Sequence, residues 1–230
     1  MPVRRTARVT PGPVPWVVPW VVVVALVAAL LVVPAAAPSY AASYSAPLTR
    51  AVADLPVAAE VRTGYVRSKF KHWVDADGDG CSTRVEALVA EADDPVTVGA
   101  GCTLTGGRWW SYYDAASRSP AKALDIDHMV PLAEAWDSGA RSWTAATREA
   151  FANDLGDARS LVAVTASVNR SKGDQDVAEW LPGHSRCRYL REFVAVKHRW
   201  RLTVDSAEKT AMTSLAASCP AATITVTLAR

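Results

Sequence analysis

The sequence contains no C-x-x-C pair and no internal repeat, and outside its first 42 residues it has no low-complexity tract. A chain of 230 residues without repeats reads as one domain with an N-terminal appendage. The missing C-x-x-C and the wide spacing of Cys81, Cys102, Cys187 and Cys219 argue against a zinc site. An excess of charge is missing too. Residues 1–42 carry three arginines and no acid, so the remainder holds 22 basic and 23 acidic residues. That balance excludes a broadly basic nucleic-acid binder, so any phosphate binding must come from a local site or a metal.

The apolar residues concentrate at the start of the chain. Arg4, Arg5 and Arg8 precede an apolar run that is densest from Trp20 to Val33, and small residues follow at Ala35 to Ala37 and Ala41 to Ala42. Basic, apolar and small-residue segments in that order make residues 1–42 an expected secretory signal peptide, cleaved between Ala41 and Ser43. An uncleaved membrane anchor is the alternative, since Val14 to Val33 is long enough to span, although Pro15 and Pro19 interrupt it. The protein is therefore expected outside the cell, without stable membrane association after cleavage.

In that compartment four cysteines favour two disulfides. The sequential pairing, Cys81–Cys102 and Cys187–Cys219, closes two short loops and is the expected one. Residues 43–56 read as an Ala/Ser/Pro linker and 221–230 as a tail, with the domain between them at 57–220. Apolar residues from Val57 to Trp73 recur at three- and four-residue steps, which predicts a helix. Further helices are expected at 82–92, over most of 133–152, and at 177–181, 186–200 and 206–217. Strands are expected in 96–113 with a turn at Gly106-Gly107, in 124–132 and in 160–165. The class is α+β, with few and short strands.

Two stretches carry the residue types of chemistry. DADGDGCSTRVE, residues 75–86, fits D-x-[DN]-x-[DN]-G-x5-E through Asp75, Asp77, Asp79, Gly80 and Glu86, with the Cys81 carbonyl at the seventh place. Such a loop wraps Ca²⁺ in oxygen ligands, and a structural role is expected. Ser82 stands where an apolar residue is usual, and no second loop is present; a solvated acidic turn is the alternative. The other stretch is DIDHMVPL, residues 125–132, which places two carboxylates and a histidine beside an apolar run. It is followed by SLVAVTASVNRSKGD, residues 160–174.

This pattern resembles the HNH, or ββα-metal (His-Me finger), endonucleases through Asp-His-x-x-Pro-Leu and Asn-Arg-x-Lys. With AEAWDSGA, FANDL and NRSKGDQDVAEWLP it is similar to secreted bacterial HNH proteins related to the C-terminal domain of GmrSD restriction endonucleases. The resemblance covers roughly 60–220, with its specific motifs in 124–182. It implies a ββα-metal core inside a mostly helical, disulfide-stapled domain. It also implies a catalytic set of Asp127, His128 and Asn169. Asp127 and Asn169 would hold Mg²⁺ or Mn²⁺, and His128 would be the general base. Arg170 and Lys172 would face the phosphates, and Asp125 would support the ligands. The family's middle Asn has no counterpart, because Arg159-Ser160 stands in its place; Ser160 or a backbone carbonyl is left to orient His128.

The function implied is an exported metal-dependent endonuclease cutting DNA, with RNA as a further substrate class. The alternative is a non-enzymatic, calcium-stabilised extracellular binding module in which the Asp-His pair is incidental. Trp109, Trp110 and Tyr112 are candidate substrate contacts, whereas His72, His184 and His198 read as structural.

Overall fold

The computed structural model describes residues 12–13 and 42–229. The expected leader thus lies outside the described residues except for Gly12, Pro13 and Ala42. Among those described, no helix is long and apolar enough to cross a membrane. The fold is α+β, with small sheets set among helices.

The segment expected as a linker is part of the fold. Strand β1 (Ser43–Pro47) pairs antiparallel with the last strand, β7 (Thr223–Thr227), in the segment expected as a tail, with Ser43 opposite Thr227. The alternation Thr-Ile-Thr-Val-Thr buries Ile224 and Val226 and leaves the threonines in water. Helix α1 (Leu48–Asp54) follows at once and buries Leu48, Ala51 and Val52.

Residues 57–73 do not form the expected helix. They run as loop, tied at one end by a bridge between Val57 and Val204, with a single 3₁₀ turn at Arg67–Lys69. Gly64 takes φ +80° inside it, and Val57, Val61, Thr63 and Val66 are β-branched, which weakens a helix. Tertiary packing decides the rest. Tyr65 and Phe70 reach Trp136, and Phe70 also meets Phe151, while Val57 and Val66 stay exposed.

Helix α2 (Thr83–Ala90) leads into a three-stranded antiparallel sheet of β2 (Asp94–Val98), β3 (Leu104–Ser111) and β4 (Ala116–Arg118). The turn expected at Gly106-Gly107 is instead at 99–103. The two glycines lie inside β3 at φ +74° and +77°, and a Cβ on Gly107 would stand 2.4 Å from the Trp109 ring.

Strand β5 (Leu124–His128) pairs antiparallel with β6 (Leu161–Thr165), Leu124 opposite Thr165 and His128 opposite Leu161. Between them come α3 (Leu132–Asp137) and α4 (Ala145–Ala152), separated by a break at Ser138-Gly139. Helix α5 (Ala166–Lys172) leaves β6 directly and packs on both strands. Residues 177–181 form a turn rather than a helix. The long helix α6 (Arg186–Trp200) and α7 (Ser206–Ser218) complete the chain. The disulfides are Cys81–Cys102 and Cys187–Cys219, as the spacing implied.

One apolar core is built on α1, α6 and β7 around Tyr189, Phe193 and Trp200. A smaller one gathers Leu88, Trp109, Leu124, Ile126, Leu161 and Ala163. Leu124 and Ile126 serve that smaller core, and the period of two turns Asp125 and Asp127 to the opposite face, where α5 lies.

Candidate active site

The cleft beside the β5–β6 pair has a volume of about 480 Å³ and is lined by Asp127, His128, Asn169 and Arg170 together with Tyr65 and Arg67. Two segments distant in sequence, β5 and α5, thus bring the three expected catalytic residues to one wall. The sequence reading had missed Tyr65 and Arg67. They arrive on the 57–73 loop, whose apolar periodicity had suggested a helix.

Asp127 is buried and carries two hydrogen bonds on Oδ2. Lys172 Nζ donates at 2.5 Å and the Tyr113 hydroxyl at 2.6 Å. Lys172 Nζ also donates to the backbone oxygens of His128 (3.0 Å) and Met129 (2.9 Å). Its exposure is 0 %. The expectation that Lys172 faces a phosphate backbone is therefore corrected. Val168, one helical turn earlier, packs on the core, and Lys172 follows it inward along the same face of α5. Burial pushes the Asp127 carboxyl up and the Lys172 ammonium down, and each charge opposes the other's shift. Among the described residues nothing bonds Asp127 Oδ1.

His128 is also buried, at 6 % exposure. Its Nε2 lies 2.8 Å from the Ala152 backbone oxygen. A carbonyl only accepts, so Nε2 carries the hydrogen and Nδ1 is the basic nitrogen. Burial pushes its pKa down to about 3, and the charges of Arg67, His72 and Lys172 add to that; only the Ala152 bond works the other way. The imidazole is neutral at ordinary pH. Of the two orienting groups considered from sequence, a backbone carbonyl holds the ring, while Ser160 bonds Asp154 Oδ2 instead. Trp73 packs beside the ring at 5.1 Å between centroids.

Asn169 Nδ2 is 3.5 Å from Asp125 Oδ2, and Arg170 Nε reaches the same oxygen at 3.5 Å. Asp125 thereby steadies the amide, which leaves the Asn169 carbonyl oxygen for the cleft. Asp127 Oδ1 and Asn169 Oδ1 are hard oxygen donors that suit Mg²⁺ or Mn²⁺. Arg170 is exposed.

The other candidates fall apart from this site, except His72, whose ring centroid lies 6.3 Å from that of His128. Trp109 is fully buried with Nε1 on the Leu88 carbonyl, and Tyr112 is buried against Glu192. Both are core residues, and of the three aromatic candidates only Trp110, 49 % exposed, faces solvent. His72 and His198 each bond a backbone oxygen, of Phe70 and Ala51 respectively.

In the acidic loop, carboxylate oxygens of Asp75, Asp77 and Asp79 lie within 4.8 Å of one another. Their side chains accept from the backbone of Gly78, Gly80, Asp79 and Cys81. Glu86 Oε2 is buried without a partner, and burial together with Asp77, Asp79 and Asp75 raises that carboxyl. Helix α2 leaves the loop as expected, but no helix enters it.

Known proteins bear on this arrangement. The family described as GmrSD restriction endonucleases, C-terminal domain, matches residues 102–215. A protein of Arthroderma benhamiae (strain ATCC MYA-4681 / CBS 112371), named an uncharacterized secreted protein, is 45 % identical over 158 residues, covering 68 % of this chain and 76 % of its own length. This chain belongs to the GmrSD-related nuclease family. No solved structure matches it. The GmrSD match contains β5, β6 and α5 whole, and so Asp127, His128, Asn169 and Arg170. Tyr65, Arg67 and the acidic loop precede it.

Proposed function

We propose that the protein is an exported, metal-dependent endonuclease of the HNH type that hydrolyses phosphodiester bonds in DNA, and in RNA as a further substrate class. The observation that carries this reading is the state of His128. It is a neutral imidazole held by one nitrogen on a backbone carbonyl, with its other nitrogen basic, beside Asp127 in a cleft that Asn169 and two arginines share. The strand pair β5–β6 with α5 would be the ββα-metal core. The family supports nucleic-acid chemistry, and the relative's printed name supports export.

Each residue then has a task. His128 accepts the proton of the attacking water at Nδ1. Asp127 and Asn169 would hold a divalent ion, Mg²⁺ or Mn²⁺, which when bound would supply positive charge to the scissile phosphate and the departing oxygen. Lys172 and Tyr113 hold the Asp127 carboxylate by Oδ2 and keep Oδ1 free. Arg67 and Arg170 bind the phosphates on either side, a contact without sequence preference. The acidic loop would hold Ca²⁺ as a structural ion, bracing the turn that Cys81–Cys102 closes.

The test is digestion of plasmid DNA, with RNA in parallel, in Mg²⁺, Mn²⁺ and EDTA. The disulfide-intact protein should cut only with metal, and His128→Ala should be folded and inactive. Inertness of the wild type on both nucleic acids in every metal, Ca²⁺ included, would favour the calcium-stabilised binding module instead.

A further inference from the structure

A second group of acids lies behind the wall of the cleft. Glu134 and Asp137, one turn apart on α3, are both buried, and Glu60 approaches them from the 57–66 loop. Carboxylate oxygens of the three lie within 4.8 Å of one another. Two cations serve them. Lys197 Nζ donates to Glu134 Oε1 at 2.5 Å and to Glu208 Oε2 at 3.1 Å, with Ser138 Oγ and the Thr203 carbonyl completing its shell. Arg62 bridges Asp137 Oδ2 and Asp174 Oδ2, each at 2.5 Å.

The bonding leaves a specific remainder. Asp137 is 2 % exposed, and its Oδ1 is buried with no hydrogen-bond partner. Glu134 accepts from Ser138 and Lys197 on Oε1, and Glu60 lies within hydrogen-bond reach of the same carboxylate. Ionised together, Glu60, Glu134, Asp137 and Glu208 would face only Lys197 and Arg62 and leave two negative charges uncompensated; burial and the neighbouring acids accordingly push Glu60 up to about 7 and Glu208 up to about 8. Asp174 draws on Arg62 as well, and Asp176 and Asp205 add their fields. Two surplus charges in a low-dielectric place require either protons or one divalent ion. The donors are all oxygen, with no imidazole or thiolate in the group, which selects a hard cation.

We propose that Glu60, Glu134 and Asp137 bind a hard divalent cation, with Ca²⁺ as the ion that fits, at a site distinct from Asp127 and Asn169 and from the acidic loop. The ion fastens the 57–66 loop to α3. That loop continues into Tyr65 and Arg67, so the ion also sets the far wall of the cleft. Because Glu60 is exposed, the site opens to solvent on its side. Nothing in this inference depends on the nuclease reading.

The experiment uses the disulfide-intact protein, stripped with EDTA, dialysed, and melted at pH 7 with and without millimolar Ca²⁺. The loop control Asp77→Asn/Asp79→Asn, which silences the acidic loop, is compared with wild type and with Glu60→Gln and Asp137→Asn built on that control. The loop control should gain roughly 5 °C with Ca²⁺, and wild type at least as much. Glu60→Gln, a surface change that leaves the fold intact, should lose at least half of that gain, and Asp137→Asn nearly all of it. A gain undiminished in Glu60→Gln overturns the proposal, as does no gain in the loop control. A metal-free protein whose midpoint climbs as pH falls from 8 to 6, with nothing added by Ca²⁺, identifies a shared proton and also overturns it.

Discussion

Asp127 and Lys172, 45 residues apart in the chain, meet in a fully enclosed ion pair at 2.5 Å, and the lysine's remaining hydrogens go to the carbonyls of His128 and Met129. One ammonium therefore holds both the carboxylate proposed to meet a metal and the backbone that carries the proposed base. Lys172→Met should destabilise the protein by about 3 kcal/mol or more, because it leaves a buried charge unpaired. Adding Asp127→Asn to it should restore much of that stability and none of the nuclease activity. Denaturant melts of the two single variants and the double variant check this as a cycle.

Arg67 and Arg170 approach the cleft from separate segments, the 3₁₀ turn and α5. If each neutralises one phosphate, changing either to Ala should lower the slope of log K against log salt by about 0.9. DNA binding by the inactive His128→Ala protein, titrated over a range of salt, measures it. Lys172 variants should leave the slope unchanged, because that ammonium never reaches solvent.

Glu91 gives a pH dependence of known sign. Its Oε2 accepts from the Ala163 backbone at 2.7 Å, and burial pushes the carboxyl up to about 7 from an ordinary value near 4.5. The folded state therefore holds a proton that the unfolded chain has released between those pH values. The contribution is full below pH 4.5 and is lost as pH rises through 7. Glu91→Gln should be nearly neutral at pH 4.5 and more stable than wild type, by about 1 kcal/mol, at pH 8. Thermal melts at the two pH values decide it.

The Cys187–Cys219 bond ties the first turn of α6 to the end of α7 across 32 residues. Replacing both cysteines with serine should cost about 3 kcal/mol, since the open chain gains loop freedom when unfolded. The α6–α7 pair packs against α1 and β7, so the loss should appear as a lower midpoint for the whole domain.

The legible parts of the sequence were those in which local pattern and final environment agree. The run Leu161 to Thr165 is apolar because both of its faces are covered, and α6 shows its period over fifteen residues. The Asp-His pair and Asn169 stood out through their resemblance to a family motif, and the fold brings the three to one cleft. Residues 57–73 misled because their aromatics pack singly onto Trp136 and Phe151 rather than as a helical stripe. Lys172 misled because a lysine is seldom enclosed, and only the fold reveals its partners. The strand at 223–227 had its signal in plain alternation, overlooked in a segment taken for a tail. Tyr113 and Arg67 had no signal, since their roles depend on what they face.

Ser45 and Thr225 share a hydrogen bond across 180 residues. The strand that carries Ser45 is made some 180 residues before its partner. In a chain made from its N-terminus, the α1–α6–β7 core thus lacks one wall until β7 has been added. Contacts of such long range are slow to form. The core on α1, α6 and β7 is therefore expected to close late in folding.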